Sequence, residues 1–128
     1  MSSPQDLLYT KSHEWVRREG DIAVVGITHY AQNSLGDVVH VEMPEEGDRF
    51  EQGSELAEIE SVKAVSSIYA PVSGVVVAVN EAIEDGPEVV NDDAYGDGWL
   101  FKLTMTDASE LDTLLSAEAY GQHTEAQG

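Results

Sequence analysis

Glu60-Ser61-Val62-Lys63-Ala64-Val65-Ser66 is the stretch on which the fold turns. Leu56-Ala57-Glu58-Ile59 precedes it and Ser67-Ile68-Tyr69-Ala70 follows. Alternation with period two puts Ala57 and Ile59 on one face and Glu58 and Glu60 on the other, so two short strands meet in a β-hairpin with Lys63 near its tip. The tip has no Asn-Gly or Asp-Gly pair, which leaves its turn type open. Lys63 is one of three lysines, with Lys11 and Lys102. By its local pattern alone it reads as an ordinary surface lysine. A loop tip on a rigid sheet is also an accessible place to attach something.

Working outward, β-rich runs repeat. Ile22-Ala23-Val24-Val25-Gly26-Ile27, Val38-Val39-His40-Val41-Glu42-Met43, Val75-Val76-Val77-Ala78-Val79 and Trp99-Leu100-Phe101-Lys102-Leu103 read as strands, and Leu7–Thr10 with His13–Arg17 as an extended lead-in or strand pair. Thr28 caps a short helix near 28–35, ended by Gly36. After Asp107 or Ser109 the period changes, and Leu111, Leu114, Leu115 and Ala117 predict a C-terminal helix over about 108–119, with a frayed polar tail from Gln122 to Gly128. A weak repeat relates Gly36-Asp37-Val38-Val39-His40-Val41 to Gly74-Val75-Val76-Val77-Ala78-Val79, and Leu56–Ile59 to Trp99–Lys102. Two such halves predict a quasi-symmetric pair of sheets, a flattened barrel or sandwich. The whole chain, 1–128, reads as one domain, with its core at about 22–104.

Composition narrows the chemistry. Twenty-five acidic residues against six basic ones give a formal charge of −19. Such a chain lacks the basic stripe that nucleic acid or an anionic membrane requires. Acids spread over turns and helix faces alike fit a salt-adapted surface. No cysteine is present, which excludes disulfides, thiol catalysis and zinc–thiolate sites. Any redox chemistry must therefore come from an attached group. No apolar run reaches transmembrane length, and Met1-Ser2-Ser3-Pro4-Gln5-Asp6 is no signal peptide, so a cytoplasmic protein is expected. His13, His29 and His40 have no helical i, i+4 spacing, and no metal site is expected.

A tethered carrier group would account for a lysine-tipped hairpin on a cysteine-free β domain, because lipoyl and biotinyl arms do their own chemistry and need only presentation. Six segments sharpen this reading: Tyr9-Thr10-Lys11-Ser12-His13-Glu14-Trp15-Val16, Val25-Gly26-Ile27-Thr28, Tyr30-Ala31-Gln32, Leu35-Gly36-Asp37-Val38-Val39, Glu60-Ser61-Val62-Lys63-Ala64 and Tyr95-Gly96-Asp97-Gly98-Trp99-Leu100. In order and spacing, over about residues 7 to 120, the chain resembles the glycine cleavage system H-protein family.

The resemblance implies a mainly β, barrel–sandwich hybrid fold of the lipoyl-domain type. It implies lipoate in amide linkage on Lys63, with Glu60, Ser61, Val62 and Ala64 as the flank that the lipoate-attaching enzyme recognises. It implies a non-catalytic, monomeric shuttle between glycine decarboxylase (P-protein), the tetrahydrofolate-dependent aminomethyltransferase (T-protein) and dihydrolipoamide dehydrogenase (L-protein). Ser12 and Glu14 match positions that hold the loaded arm in a surface cleft, and His29, which stands where relatives often carry an acid, is a further candidate for that cleft. Ser34 and Ser67 depart from the histidine and the acid of some relatives. A lipoyl domain of a 2-oxoacid dehydrogenase, with Asp-Lys-Ala at its tip and no Ser-His-Glu-Trp segment or C-terminal helix, fits less well. So does a biotin carrier, whose lysine sits between methionines. An unmodified structural β domain would require a bare Lys63.

Overall fold

In the computed structural model, which describes residues 7–127, the hydrophobic pattern resolves into nine strands, four α-helices and one 3₁₀ turn. The strands are Leu8–Tyr9 (β1), Glu14–Glu19 (β2), Ile22–Ile27 (β3), Val38–Glu42 (β4), Arg49–Phe50 (β5), Glu55–Ser61 (β6), Val65–Tyr69 (β7), Gly74–Val79 (β8) and Phe101–Met105 (β9). All pairings are antiparallel. One sheet runs β1-β2-β3-β9-β8-β5 and the other β4-β6-β7. This is the barrel–sandwich architecture expected. The residues Met1–Asp6 considered above lie outside the described ones.

The two sheets bury Val25, Ile27, Ile59, Ile68, Val76 and Leu103 between them. β3 is apolar throughout because both of its faces are covered: Val25 points into the intersheet core, while Val24 packs outside with Tyr9, Trp15 and Tyr120. The sequence repeat has a structural counterpart. β4 pairs with β6 in the small sheet as β8 pairs with β9 in the large one.

The helix expected near 28–35 is His29–Leu35 (α1). The Thr28 side chain accepts from the Ala31 N–H at its start, and Gly36 follows it at φ 78°. Two helical turns, Ala82–Asp85 (α2) and Val89–Asp92 (α3), sit where the sequence reads as turn and loop. The last strand begins at Phe101 rather than Trp99, because the Asn80 side-chain amide takes the carbonyls of Asp97 and Trp99 at 2.8 and 2.7 Å.

The single C-terminal helix expected over 108–119 is two segments. A 3₁₀ turn spans Ala108–Thr113, with Asp107 accepting from the Ser109 N–H as its cap, and an α-helix spans Ala117–Gln127 (α4). The leucines explain the break. Leu111 is buried with the intersheet core, whereas Leu115 packs on the outer cluster and exchanges both backbone hydrogen bonds with Tyr9, at 2.8 and 2.7 Å. One continuous helix could not serve both places, so Leu114 is extended. Helix α4 continues through the polar residues expected to fray, and Gly128 lies outside the described residues.

Candidate functional site: a lysine tip and a buried carboxylate

The β6–β7 hairpin carries Lys63 as its pattern predicts: Ala57 and Ile59 are buried, and Glu60 is exposed. Ser61 closes the tip in place of an Asn-Gly pair. Its N–H donates to the Ala64 carbonyl at 2.8 Å, and its buried hydroxyl accepts from the N–H groups of Ala64 and Lys63 at 3.1 and 3.3 Å. The Val62 N–H donates to the Asp37 carbonyl at 3.0 Å, which ties the tip to the loop after α1. The Lys63 stem lies over Gly36, where an added Cβ would stand 3.4 Å from its Cε. Lys63 is exposed and stands in no ion pair among the described residues. Val62 and Val65 beside it are 68% and 64% exposed, an apolar collar unusual on so charged a surface.

At the far end of β7 lies a hollow of about 220 Å³, lined among others by Ser12, Glu14, Gln52, Tyr69, Pro71 and Leu114. Glu14 opens strand β2 and is only 1% exposed. Its Oε1 accepts from the hydroxyls of Thr10 and Ser12, each at 2.6 Å, and its Oε2 from the Tyr69 N–H at 3.4 Å. Burial raises its pKa above the ordinary carboxylate value, and the hydroxyl bonds pull the other way without cancelling that rise. No cation pairs with it among the described residues. A buried carboxylate with oriented donors on one side and no ion-pair partner is suited to an incoming cationic group.

Ser12 and Glu14 are thus brought together. His29 is not brought to them: its Nδ1 meets the Gln32 amide at 3.0 Å on α1, outside the hollow. Ser34 is exposed on α1 and Ser67 pairs with Glu58 on β7, and neither lines the hollow. Sequence reasoning missed Thr10, Tyr69 and the wall formed by Thr113, Leu114 and Leu115. Thr10 carried a signal, since hydroxyls two and four residues before a buried acid can both turn back to it.

Comparison with known proteins shows the family and the fold. A family model described as "Glycine cleavage H-protein" matches residues 7–127. The glycine cleavage system H protein of Shewanella loihica is 61% identical over 118 residues, 91% of this chain and 92% of its own length. That of Thermus thermophilus is 54% identical over 127 residues, 99% of each chain. The crystal structure of a glycine cleavage system H protein from Mycobacterium marinum superposes with a TM-score of 0.87 at 38% identity, covering 96% of this chain and 99% of that one.

Proposed function

The chain belongs to the glycine cleavage H-protein family, and from that premise we propose that Lys63 is its lipoyl attachment point and that the hollow at Glu14 receives the arm's loaded end. As an H protein it is a non-catalytic carrier. It moves the aminomethyl group of glycine from the P-protein to the T-protein, and the L-protein then reoxidises the arm. A lipoate-attaching enzyme installs the cofactor. The lipoyl dithiolane would supply the sulfur that takes up the group, and its S–S bond would accept the two electrons that the resulting dithiol later passes on.

This chain's residues fit that group. The exposed Lys63 amine offers an amide-forming nitrogen, and amidation takes the formal charge from −19 to −20. The rigid tip of Glu60, Ser61, Val62 and Ala64 is what the attaching enzyme reads. Lengths also agree. From the lysine tip, β7 runs over Val65–Tyr69, about 17 Å of strand. The lysyl stem and lipoyl chain extend about 18 Å at the advance per bond of an extended chain. The single observation that carries the reading is the buried Glu14 carboxylate, held by Thr10 and Ser12 and in no ion pair among the described residues. It attracts the ammonium of the aminomethyl group, and the hollow shields that group from water. The match through residue 127 takes in the Ser12–Trp15 segment and the C-terminal helix that a 2-oxoacid dehydrogenase lipoyl domain lacks.

The proposal extends to setting. The chain is one domain, with the lipoyl core at about 22–104 and the C-terminal segments covering it. It works in the cytoplasm of a salt-adapted organism, a reading supported by its charge of −19.

Intact-mass measurement of protein made with ample lipoate should show a lipoyl adduct that Lys63→Ala loses; an unmodified mass throughout would defeat the attachment proposal. With the P-protein and glycine supplied, Glu14→Gln should shed its aminomethyl group faster than wild type. Unchanged decay would remove Glu14 from the arm site.

A further inference from the structure

The Thr10–Glu14 turn that shapes the carboxylate contains a conformational oddity. His13 has φ 73°, the one positive φ at a non-glycine residue among those described. The left-handed region costs an ordinary residue about 1–2 kcal/mol and persists only where its surroundings enforce it. Here the backbone of the turn is held on both sides. The His13 N–H donates to the Thr10 carbonyl at 3.2 Å, and the His13 carbonyl accepts from the Thr28 N–H at 3.0 Å. Thr10 then reaches forward, its hydroxyl oxygen accepting from the Glu14 N–H at 3.0 Å while its O–H donates to the Glu14 carboxylate.

What enforces the His13 side chain comes from the other end of the chain. Tyr120 on α4 is 1% exposed, and its ring stacks on Tyr9 with centroids 4.8 Å apart and planes 14° from parallel. Its hydroxyl lies between His13 Nδ1 at 2.7 Å and Thr28 Oγ1 at 2.6 Å. The His13 ring is further packed against Tyr30 and His123, at centroid distances of 4.7 and 5.7 Å. Stacking alone would anchor α4, and a phenylalanine would supply it. The hydroxyl does something more specific, since it joins the His13 imidazole to the residue that caps α1.

We propose that Tyr120 is a positioning residue for the arm site. Through its hydroxyl it holds His13 in the left-handed turn that aims the hydroxyls of Thr10 and Ser12 at Glu14. The role of that site rests on the reading given above; the coupling of Tyr120 to Glu14 does not. The C-terminal helix is thereby part of the carrier's working apparatus, setting the hollow's chemistry through the His13 turn.

Tyr120→Phe in the full chain keeps the stacked ring and deletes only the hydroxyl. The carboxyl carbon of Glu14, followed by NMR against pH, is the direct readout and needs no loaded arm. Weakening the Thr10 and Ser12 bonds removes what holds the carboxylate form, so the Glu14 midpoint should move further up. Loss of the aminomethyl group should be several-fold faster in lipoylated Tyr120→Phe, with reoxidation of the dithiol arm by the L-protein unchanged. His13→Asn reads the same coupling if Tyr120→Phe unfolds α4. Asparagine tolerates the left-handed backbone but is too short to keep the bond to Tyr120, so the midpoint should rise there too. In the double variant the two shifts should not add. A Glu14 midpoint unmoved in both single variants overturns the inference. If Glu14→Gln leaves aminomethyl decay unchanged, the arm-site reading fails instead, and the midpoint still decides the coupling.

Discussion

Glu14 is the residue where the proposed arm-binding role and stability pull in opposite directions. Burying a carboxylate without a cation costs free energy that its hydroxyl and amide donors only partly return. Its folded pKa stands above the ordinary value of 4.5. The folded state therefore binds the proton more tightly than the unfolded chain. This contribution to stability is full below the unfolded pKa and is lost as pH rises through the folded one. At neutral pH the charged Glu14 thus works against folding. Glu14→Gln should melt a few degrees higher than wild type near pH 7, and the gap should close as pH falls below about 4.5. Melting curves of both proteins at constant ionic strength between pH 4 and 8 check this, and parallel curves would mean that the carboxylate is not strained by burial. A gain in stability together with a faster loss of the aminomethyl group would mark Glu14 as a functional residue kept at a cost to the fold.

Among the elements, the hairpin's stability lies in its closing serine and the large sheet's in a glycine. Ser61→Ala removes the acceptor for two N–H groups at the tip and should cost about 1–2 kcal/mol. Lipoylation of Lys63 should slow beyond what that loss implies, because the attaching enzyme then meets a tip no longer held in one shape; initial rates at equal folded fraction measure this. Gly26 faces Trp15 across β2 and β3, and a Cβ there would fall 2.6 Å from the indole ring. Trp15 is fully buried and donates its Nε1–H to the Ala94 carbonyl at 2.8 Å, so it has nowhere to retreat. Gly26→Ala should cost about 3 kcal/mol in urea unfolding. Elements of this kind were legible in proportion to their periodicity. The hairpin alternates cleanly over Ala57 to Glu60, and Thr28 and Gly36 bracket α1 as a cap and a stop should. The four-residue helices α2 and α3 are too short to show a period. The tail misled because Leu111, Leu114 and Leu115 keep helical spacing while serving two different clusters, and spacing does not say which core a leucine enters. Site residues divide the same way. The candidates Lys63, Ser12 and Glu14 come from the family resemblance, whereas Tyr120 meets His13 across 107 residues, a contact that no local pattern encodes.

For the molecule as a whole, the decisive quantity is charge. A net −19 on 128 residues has little internal compensation. The ion pair between Arg17 and Glu19, found among the described residues, is exposed on both sides and contributes little. The two cations stacked on aromatic rings, Arg17 on Trp15 and Lys102 on Trp99, neutralise no acid by that contact. Self-repulsion among the acids should therefore be the strongest destabilising force that dissolved salt can relieve. Screening makes the test quantitative. The Debye length falls from about 30 Å at 0.01 M to about 10 Å at 0.1 M and about 3 Å at 1 M. Simple screening of an acidic protein predicts a melting temperature that climbs steeply over the first few tenths molar and then levels off, because neighbouring charges are by then shielded from one another. A salt-adapted fold predicts continued gain above 1 M. Melting curves in potassium chloride from 0.01 to 3 M separate the two, with sucrose at matched water activity as a control for solvent exclusion. The gain expected at high salt should persist in Lys63→Ala, which cannot be lipoylated, since one charge in so many is a minor perturbation. A plateau below 0.5 M would leave the carrier function untouched and assign the charge of −19 to solubility alone.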